Sequence, residues 1–164
     1  MTEPPKHRYE IDLTAPVASG GATNVDMRPL TVDNRDGLAQ LMLDAYMGTI
    51  DYEGESIVEA REAVDDWLGD APLLSHSFGA TIDGRVVSAV LVMTLDDAPF
   101  VSIVMTAPEH KGSGLGRAVV AASLESLRTE HHSTASLYIT EGNEPSERLF
   151  ASLGAVRADD QRPG

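Results

Sequence analysis

Between Phe100 and Val120 the chain reads strand, glycines, helix, and this segment constrains the fold more than any other. Phe100 to Thr106 is rich in apolar and β-branched residues, as a buried strand requires. Glycines follow at 112, 114 and 116, and from Leu115 to about Glu130 the pattern is that of a helix with a very apolar first half. Alternate glycines let backbone N–H groups turn toward one point without interference from a Cβ. The first amides of the helix are unpaired and sit at its positive end. Such a loop suits an anion, phosphate above all, and Lys111 and Arg117 add positive charge. The same glycines also serve the plainer purpose of a tight strand-to-helix connection. A Walker loop needs Gly-Lys-Ser/Thr after a Gly-x-x-x-x spacer, which is absent. In a Gly-x-Gly-x-x-Gly fingerprint starting at Gly112 or Gly114, the third glycine would fall on Arg117 or Val119.

Elements on either side complete an alternating pattern. His7 to Leu13 alternates and predicts a short exposed strand; Ala15 to Asn24 reads as a linker. Residues 1–24 are therefore expected to be an N-terminal extension and residues 25–164 a single domain. Val25 to Leu30 is a strand. Leu38, Leu41, Met42, Ala45 and Tyr46 give a helix from about Asp33 to Met47, with Gly48 as its stop. Ser56 and Glu59 form a capping box before a second amphipathic helix through Ile57, Ala60, Val64, Trp67 and Leu68. Leu74 to Ile82 and Arg85 to Leu95 flank Asp83-Gly84, a strong hairpin signal. Asp96 to Pro99 is a turn before the strand from Phe100, Ala135 to Thr140 is a further strand, and Pro145 to Leu153 is a helix that Asn143 caps. The class is α+β (or α/β), with mixed strand directions.

Composition removes several kinds of function. The 164 residues carry 26 acidic and 12 basic side chains, net −14, which excludes a uniformly basic nucleic-acid clamp. Cysteine is absent, excluding disulfides, thiolate nucleophiles and Cys-based zinc sites. No metal site is read from the spacing. The start of the chain has no apolar signal-peptide core, and the longest apolar stretch, Val86 to Leu95, is too short for a bilayer, so a cytoplasmic protein without membrane or nucleic-acid partners is expected. The acid is uneven: Asp44, Asp51, Glu53, Glu55, Glu59, Glu62, Asp65, Asp66 and Asp70 face only Arg61, whereas Pro108 to Arg128 holds Lys111, Arg117 and Arg128 against Glu109 and Glu125. The acidic stretch is either a solvated surface or a surface that draws cations.

Lys111-Gly-Ser-Gly-Leu-Gly resembles the Arg/Gln-x-x-Gly-x-Gly/Ala signature of the GNAT superfamily of N-acetyltransferases. Thr106-Ala-Pro-Glu resembles the Val-x-Pro-Glu that precedes it there, and Leu137 to Ala155, with Asn143 before a helix, resembles the family's second signature. The resemblance covers roughly residues 25–158. It implies a GNAT-like, mostly antiparallel twisted sheet flanked by helices, in the order β-α-α-β-β-β-α-β-α with a last short strand. It implies acetyl-coenzyme A (acetyl-CoA) as cofactor, its pyrophosphate on the backbones of Lys111, Gly112, Ser113, Gly114, Leu115, Gly116 and Arg117. Its pantetheine arm would pair with Val104, Met105 and Thr106, where the strand splays from its neighbour, and would touch Asn143. A backbone N–H there, assigned to Met105, would stabilise the oxyanion. Three departures stand out: Lys111 replaces the usual Arg or Gln, Phe150 replaces the tyrosine that commonly reprotonates the leaving thiolate, and the last strand pair is short. The His7–Leu13 strand would cover the sheet edge this leaves, within the chain or from a partner.

The implied reaction is direct transfer of acetyl to a primary amine, and the amine must first lose a proton. Glu141 and Glu53 are the candidate bases. Asp51, Tyr52, Glu53 and Glu55 lie in the loop that lines the acceptor groove in the resembling fold. The acceptor is a small-molecule or protein amine, a cationic one being drawn by an acidic groove. Monomer and homodimer stay open. The alternative is a non-catalytic acyl-CoA-binding or regulatory module that has lost its general acid at Phe150. His76 and His110 are read as an edge residue and a loop filler, and His131-His132 as a helix end.

Overall fold

The computed structural model describes residues 4–16, 25–46 and 54–158. The strands are β1 (Lys6–Asp12), β2 (Asp26–Pro29), β3 (Phe78–Ile82), β4 (Arg85–Leu95), β5 (Ala98–Thr106), β6 (Thr134–Thr140) and β7 (Val156–Arg157). The helices are α1 (Arg35–Tyr46), α2 (Ile57–Leu68), α3 (Leu115–Thr129) and α4 (Glu144–Ser152). The strands form one sheet in the order β2-β3-β4-β5-β6-β1-β7. Every neighbouring pair is antiparallel except β5 with β6.

Val87 to Val92 of β4 are all buried. Successive residues of a strand point to opposite faces, so both faces of the sheet must be covered. Packed together, α1 and α2 cover one through α1 on β4 and β5; α3 covers the other, across β3, β4 and β5. The core between them is built from Leu38, Val64, Val90, Leu91, Val119, Val120, Leu124 and Leu127. The predicted caps form as the residue types require. Ser56 and Glu59 exchange hydrogen bonds at the start of α2. Asn143 accepts from the Ser146 amide at the start of α4. Trp67 of α2 buries its indole and donates from Nε1 to the Val92 carbonyl of β4 at 3.0 Å, fixing α2 to the sheet.

Three local expectations differ from the structure. Leu74–His76 is a single 3-10 turn and the strand begins at Phe78. Ser77 is the cause: its hydroxyl donates to the Leu73 carbonyl and accepts from the Val92 amide, replacing a strand partner with a side chain. The second hairpin turns on Asp96 and Asp97 alone, at φ 53° and 62°, conformations that aspartate tolerates, so β5 starts at Ala98 and contains Pro99. The strand read as exposed lies inside the sheet. β1 pairs with β6 from Lys6↔Thr140 to Asp12↔Thr134 and with β7 on its other side, burying Ile11 and Leu13. Among the described residues no helix is long and apolar enough to cross a membrane.

Candidate active site

β5 carries one extra residue, Ser102, between its pairings of Val101 with Val92 and of Ile103 with Leu91. A bulge bends its strand and strengthens the local twist. On the other side, β5 pairs in parallel with β6 only at Phe100↔Ser136 and Val101↔Leu137, and from Ser102 onward the two strands diverge. The gap opens into a cavity of about 560 Å³, walled by Ser102 to Val104 of β5, Leu137, Tyr138 and Thr140 of β6, Met42 and Tyr46 of α1, and Phe150 of α4. Backbone groups of β5 that would otherwise complete a ladder with β6 therefore face this opening.

At the end of β5 the chain makes one 3-10 turn, Pro108–His110, and reaches the glycines. Gly112 and Gly114 have φ of 82° and 86°, the left-handed region that disfavours a side chain, and Gly114 forms the N-cap of α3 without any side-chain bond. A Cβ on Gly116 would lie 3.2 Å from Oγ1 of Thr106, which itself stands 2.9 Å from Oγ of Ser88. The missing side chain lets the first turn of α3 approach the end of β5. The backbone bonds of the loop use the amides of His110, Lys111 and Ser113; among the described residues they do not use those of Gly112, Gly114, Leu115 or Gly116. The last two open a helix and have no carbonyl one turn behind them.

The loop's two cations are directed at helix ends. Lys111 Nζ donates to the Ala45 carbonyl in the last turn of α1 at 3.1 Å, the negative end of that helix. Arg117 Nε donates to Ser152 Oγ at the end of α4 at 3.2 Å. They brace the loop between two helices. Asn143 both caps α4 and lines the cavity, so the two roles read from the sequence are compatible at one position.

The acidic residues separate. Glu55 lines the cavity, and so does Glu59, whose carboxylate also serves the capping box. Glu141 is 63% exposed with its carboxylate 3.8 Å from His7 Nε2, and it is not among the residues lining the cavity. Asp51, Tyr52 and Glu53 lie outside the described residues. Sequence reasoning did not single out Glu59, Lys6, Phe100 or Tyr138 for this cavity. The Phe100 and Tyr138 rings meet at 5.7 Å between centroids. For Tyr138 the signal was present: an aromatic on the polar face of a strand, 50% exposed.

Residues 79–162, half of the chain, match the family model described as FR47-like protein. A mycothiol acetyltransferase from Nocardiopsis dassonvillei is 38% identical over 86 residues, which is 52% of this chain and 23% of that protein. The chain thus spans about a quarter of that curated relative's length. Among solved structures, a GCN5-related N-acetyltransferase from Sphaerobacter thermophilus superposes with a TM-score of 0.74 at 12% identity, over 93% of this chain and 48% of that one. A PaiA N-acetyltransferase from Thermoplasma acidophilum in complex with coenzyme A superposes with a TM-score of 0.63 at 14% identity, over 79% of this chain and 87% of that one.

Proposed function

The chain belongs to the FR47-like family of the GNAT superfamily of N-acetyltransferases, and on that footing we propose that it moves an acetyl group from acetyl-CoA to a primary amine by direct transfer. The observation that carries this reading is the divergence of β5 from β6, which runs from the cavity to the glycine loop and leaves main-chain groups on one side of β5 unpaired. A nucleotide with a long thioester arm fits that shape. The left-handed glycines and the open amides at the start of α3 suit its pyrophosphate.

Acetyl-CoA supplies an activated acyl group. The remaining work falls to this chain. The amides of Gly112, Gly114, Leu115 and Gly116 hold the pyrophosphate, with Lys111, Ser113 and Arg117 shaping the loop. Val104 to Thr106 align the pantetheine arm as an added strand would, and Asn143 closes the opposite wall. The register with β4 turns the Met105 amide, first read as the oxyanion donor, toward Ala89 of β4, so the donor proposed is an amide on the open side of β5, that of Val104 or Thr106. Its bond to the thioester carbonyl strengthens as the oxygen gains charge, a contribution of about 3–4 kcal/mol to the barrier. Attack forms the N–C bond and breaks the C–S bond; a base takes the ammonium proton and the thiolate gains one.

Of the two candidate bases, Glu141 is exposed and does not line the cavity, so Glu53 is the base proposed for the amine. Glu55, with Asp51 and Tyr52, forms the acceptor side, and the negative charge there favours a cationic amine. Phe150 borders the same cavity and has no proton to give, so the thiolate takes its proton from water or from the protonated base. The enzyme is proposed to act in the cytoplasm, as a monomer or homodimer.

Acetyl-CoA added to the protein should raise its melting temperature. Gly114→Glu, which puts a carboxylate among the phosphate-facing amides, should abolish the shift while leaving the ligand-free melt folded. A panel of amines in a thiol-release assay then tests transfer. Ligand-dependent stabilisation with no amine supporting thiol release would leave a binding module, and no stabilisation at all would remove the reading.

A further inference from the structure

We propose that His76, Glu130 and His132 form a binding site for a zinc-like divalent cation at the C-terminal end of α3. The donor atoms of the three residues all lie within 4.8 Å of one another. They come from two distant parts of the chain: His76 ends the turn before β3, and Glu130 and His132 follow α3.

His76 is buried and held from both sides. Its Nδ1 is 2.6 Å from Ser126 Oγ and its Nε2 is 2.7 Å from Glu130 Oε2. Without metal, Nε2–H donates to the Glu130 carboxylate; on metal binding, the tautomer that donates from Nδ1 to Ser126 frees the Nε2 lone pair for the ion. A ligating histidine is normally oriented in this way, by a bond from its other ring nitrogen. The His132 ring meets the His76 ring edge to face, 5.9 Å between centroids and 86° between planes.

The backbone that places His132 is unusual. His131 has φ 71°, a conformation glycine would adopt at lower cost. Its amide donates to the Arg128 carbonyl and the amide of His132 to that of Leu127. The strained residue folds the chain back over the end of α3 and brings the second imidazole to the first. This is also the negative end of the helix, where a cation is favoured. Arg128, the cation of that last turn, is engaged with Glu125 at 3.1 Å.

Two imidazoles and one carboxylate match the donors that zinc takes, whereas magnesium and calcium select all-oxygen shells. Ligands of a tetrahedral zinc stand about 3.4 Å apart. Glu130, 61% exposed, can swing to widen its 2.7 Å approach to Nε2. Water completes the fourth position. Fifteen helical residues, about 22 Å of rise, separate this end of α3 from the glycine loop. The site therefore does not share groups with acetyl transfer; it clamps the turn before β3 to α3.

Chelator-treated, dialysed protein titrated with ZnCl2 in a calorimeter should bind one equivalent, and Zn2+ but not Mg2+ should raise the melting temperature. His132→Ala and Glu130→Gln each leave the buried His76 in place. Each should weaken that binding at least about tenfold and remove the zinc-dependent rise, with the metal-free melt cooperative. Nitrogen NMR should show Nε2 of His76 shifting on zinc addition while Nδ1 takes the proton. Absence of one-equivalent binding in the unmodified protein would overturn the proposal. So would equal affinity in both variants, which would assign the zinc to other histidines.

Discussion

At position 150 a phenyl ring fills part of the cavity wall, 4% exposed, where the family's signature carries a phenol. A hydroxyl there would point a proton donor into the space proposed for the thioester. Phe150→Tyr should therefore raise kcat about tenfold or more at unchanged KM for acetyl-CoA, since a positioned acid contributes on that scale or above it. Steady-state thiol release reads both constants, and an unchanged kcat would mean that protonation of the thiolate does not limit the rate. Single residues were legible where one residue type answers a local demand. Gly112 and Gly114 announce left-handed backbone, and Ser56 with Glu59 announces a helix start. Lys111 and Arg117 were legible as charges but not as braces. Their partners, Ala45 and Ser152, are distant in the chain and come within reach only through packing. The His76, Glu130 and His132 cluster escaped for the same reason: His76 lies 54 residues before Glu130.

Between elements, the clearest polar link is the one that joins α1 to α2. Arg35 reaches Asp65 with Nε on one carboxylate oxygen and NH2 on the other at 2.7 Å, a forked pair. The hydrogen bonds from Arg35 hold the Asp65 carboxyl below its ordinary value. A carboxyl lowered in the folded state stabilises that state above the unfolded value, and the contribution is lost as pH falls through the folded one. The melting temperatures of the unmodified protein and Asp65→Asn should therefore differ modestly near neutrality. They should converge as the pH is taken below the carboxylate range; a gap that persists in acid would assign the effect to packing. The periodicity of apolar residues revealed both helices, because burial of one face is written at intervals of three and four. It misread Leu74 to Ser77, where an apolar run looks like a strand but the Ser77 hydroxyl takes over the backbone pairing.

Across the whole molecule, charge and topology are the properties that no single segment reveals. If the acidic stretch recruits substrate, kcat/KM for cationic amines should fall with ionic strength while neutral amines stay level. Equal salt dependence for both would leave the acid as a solvated surface. The interior is less negotiable. Ile11 and Leu13 are nearly inaccessible, and Leu13→Ala should cost about 2–5 kcal/mol in denaturant unfolding, as expected of a core position. An exposed strand would have given a far smaller loss. Alternation located this strand but could not say what lay against it. A period of two reports which side is apolar, not whether a neighbour waits at each edge.

That placement has a consequence during synthesis. The partners of β1 lie 122 to 134 residues further along, from Asp12↔Thr134 to Lys6↔Thr140. At about 5–20 residues per second, on the order of ten seconds pass on the ribosome before β6 exists to receive β1. Until then Tyr9, Ile11 and Leu13 travel as an unpaired strand with one apolar face, open to capture by a chaperone or by another nascent chain. Closure of the sheet is thus a late event by necessity, and the slowest step of folding is expected to be the return of the beginning of the chain to its end.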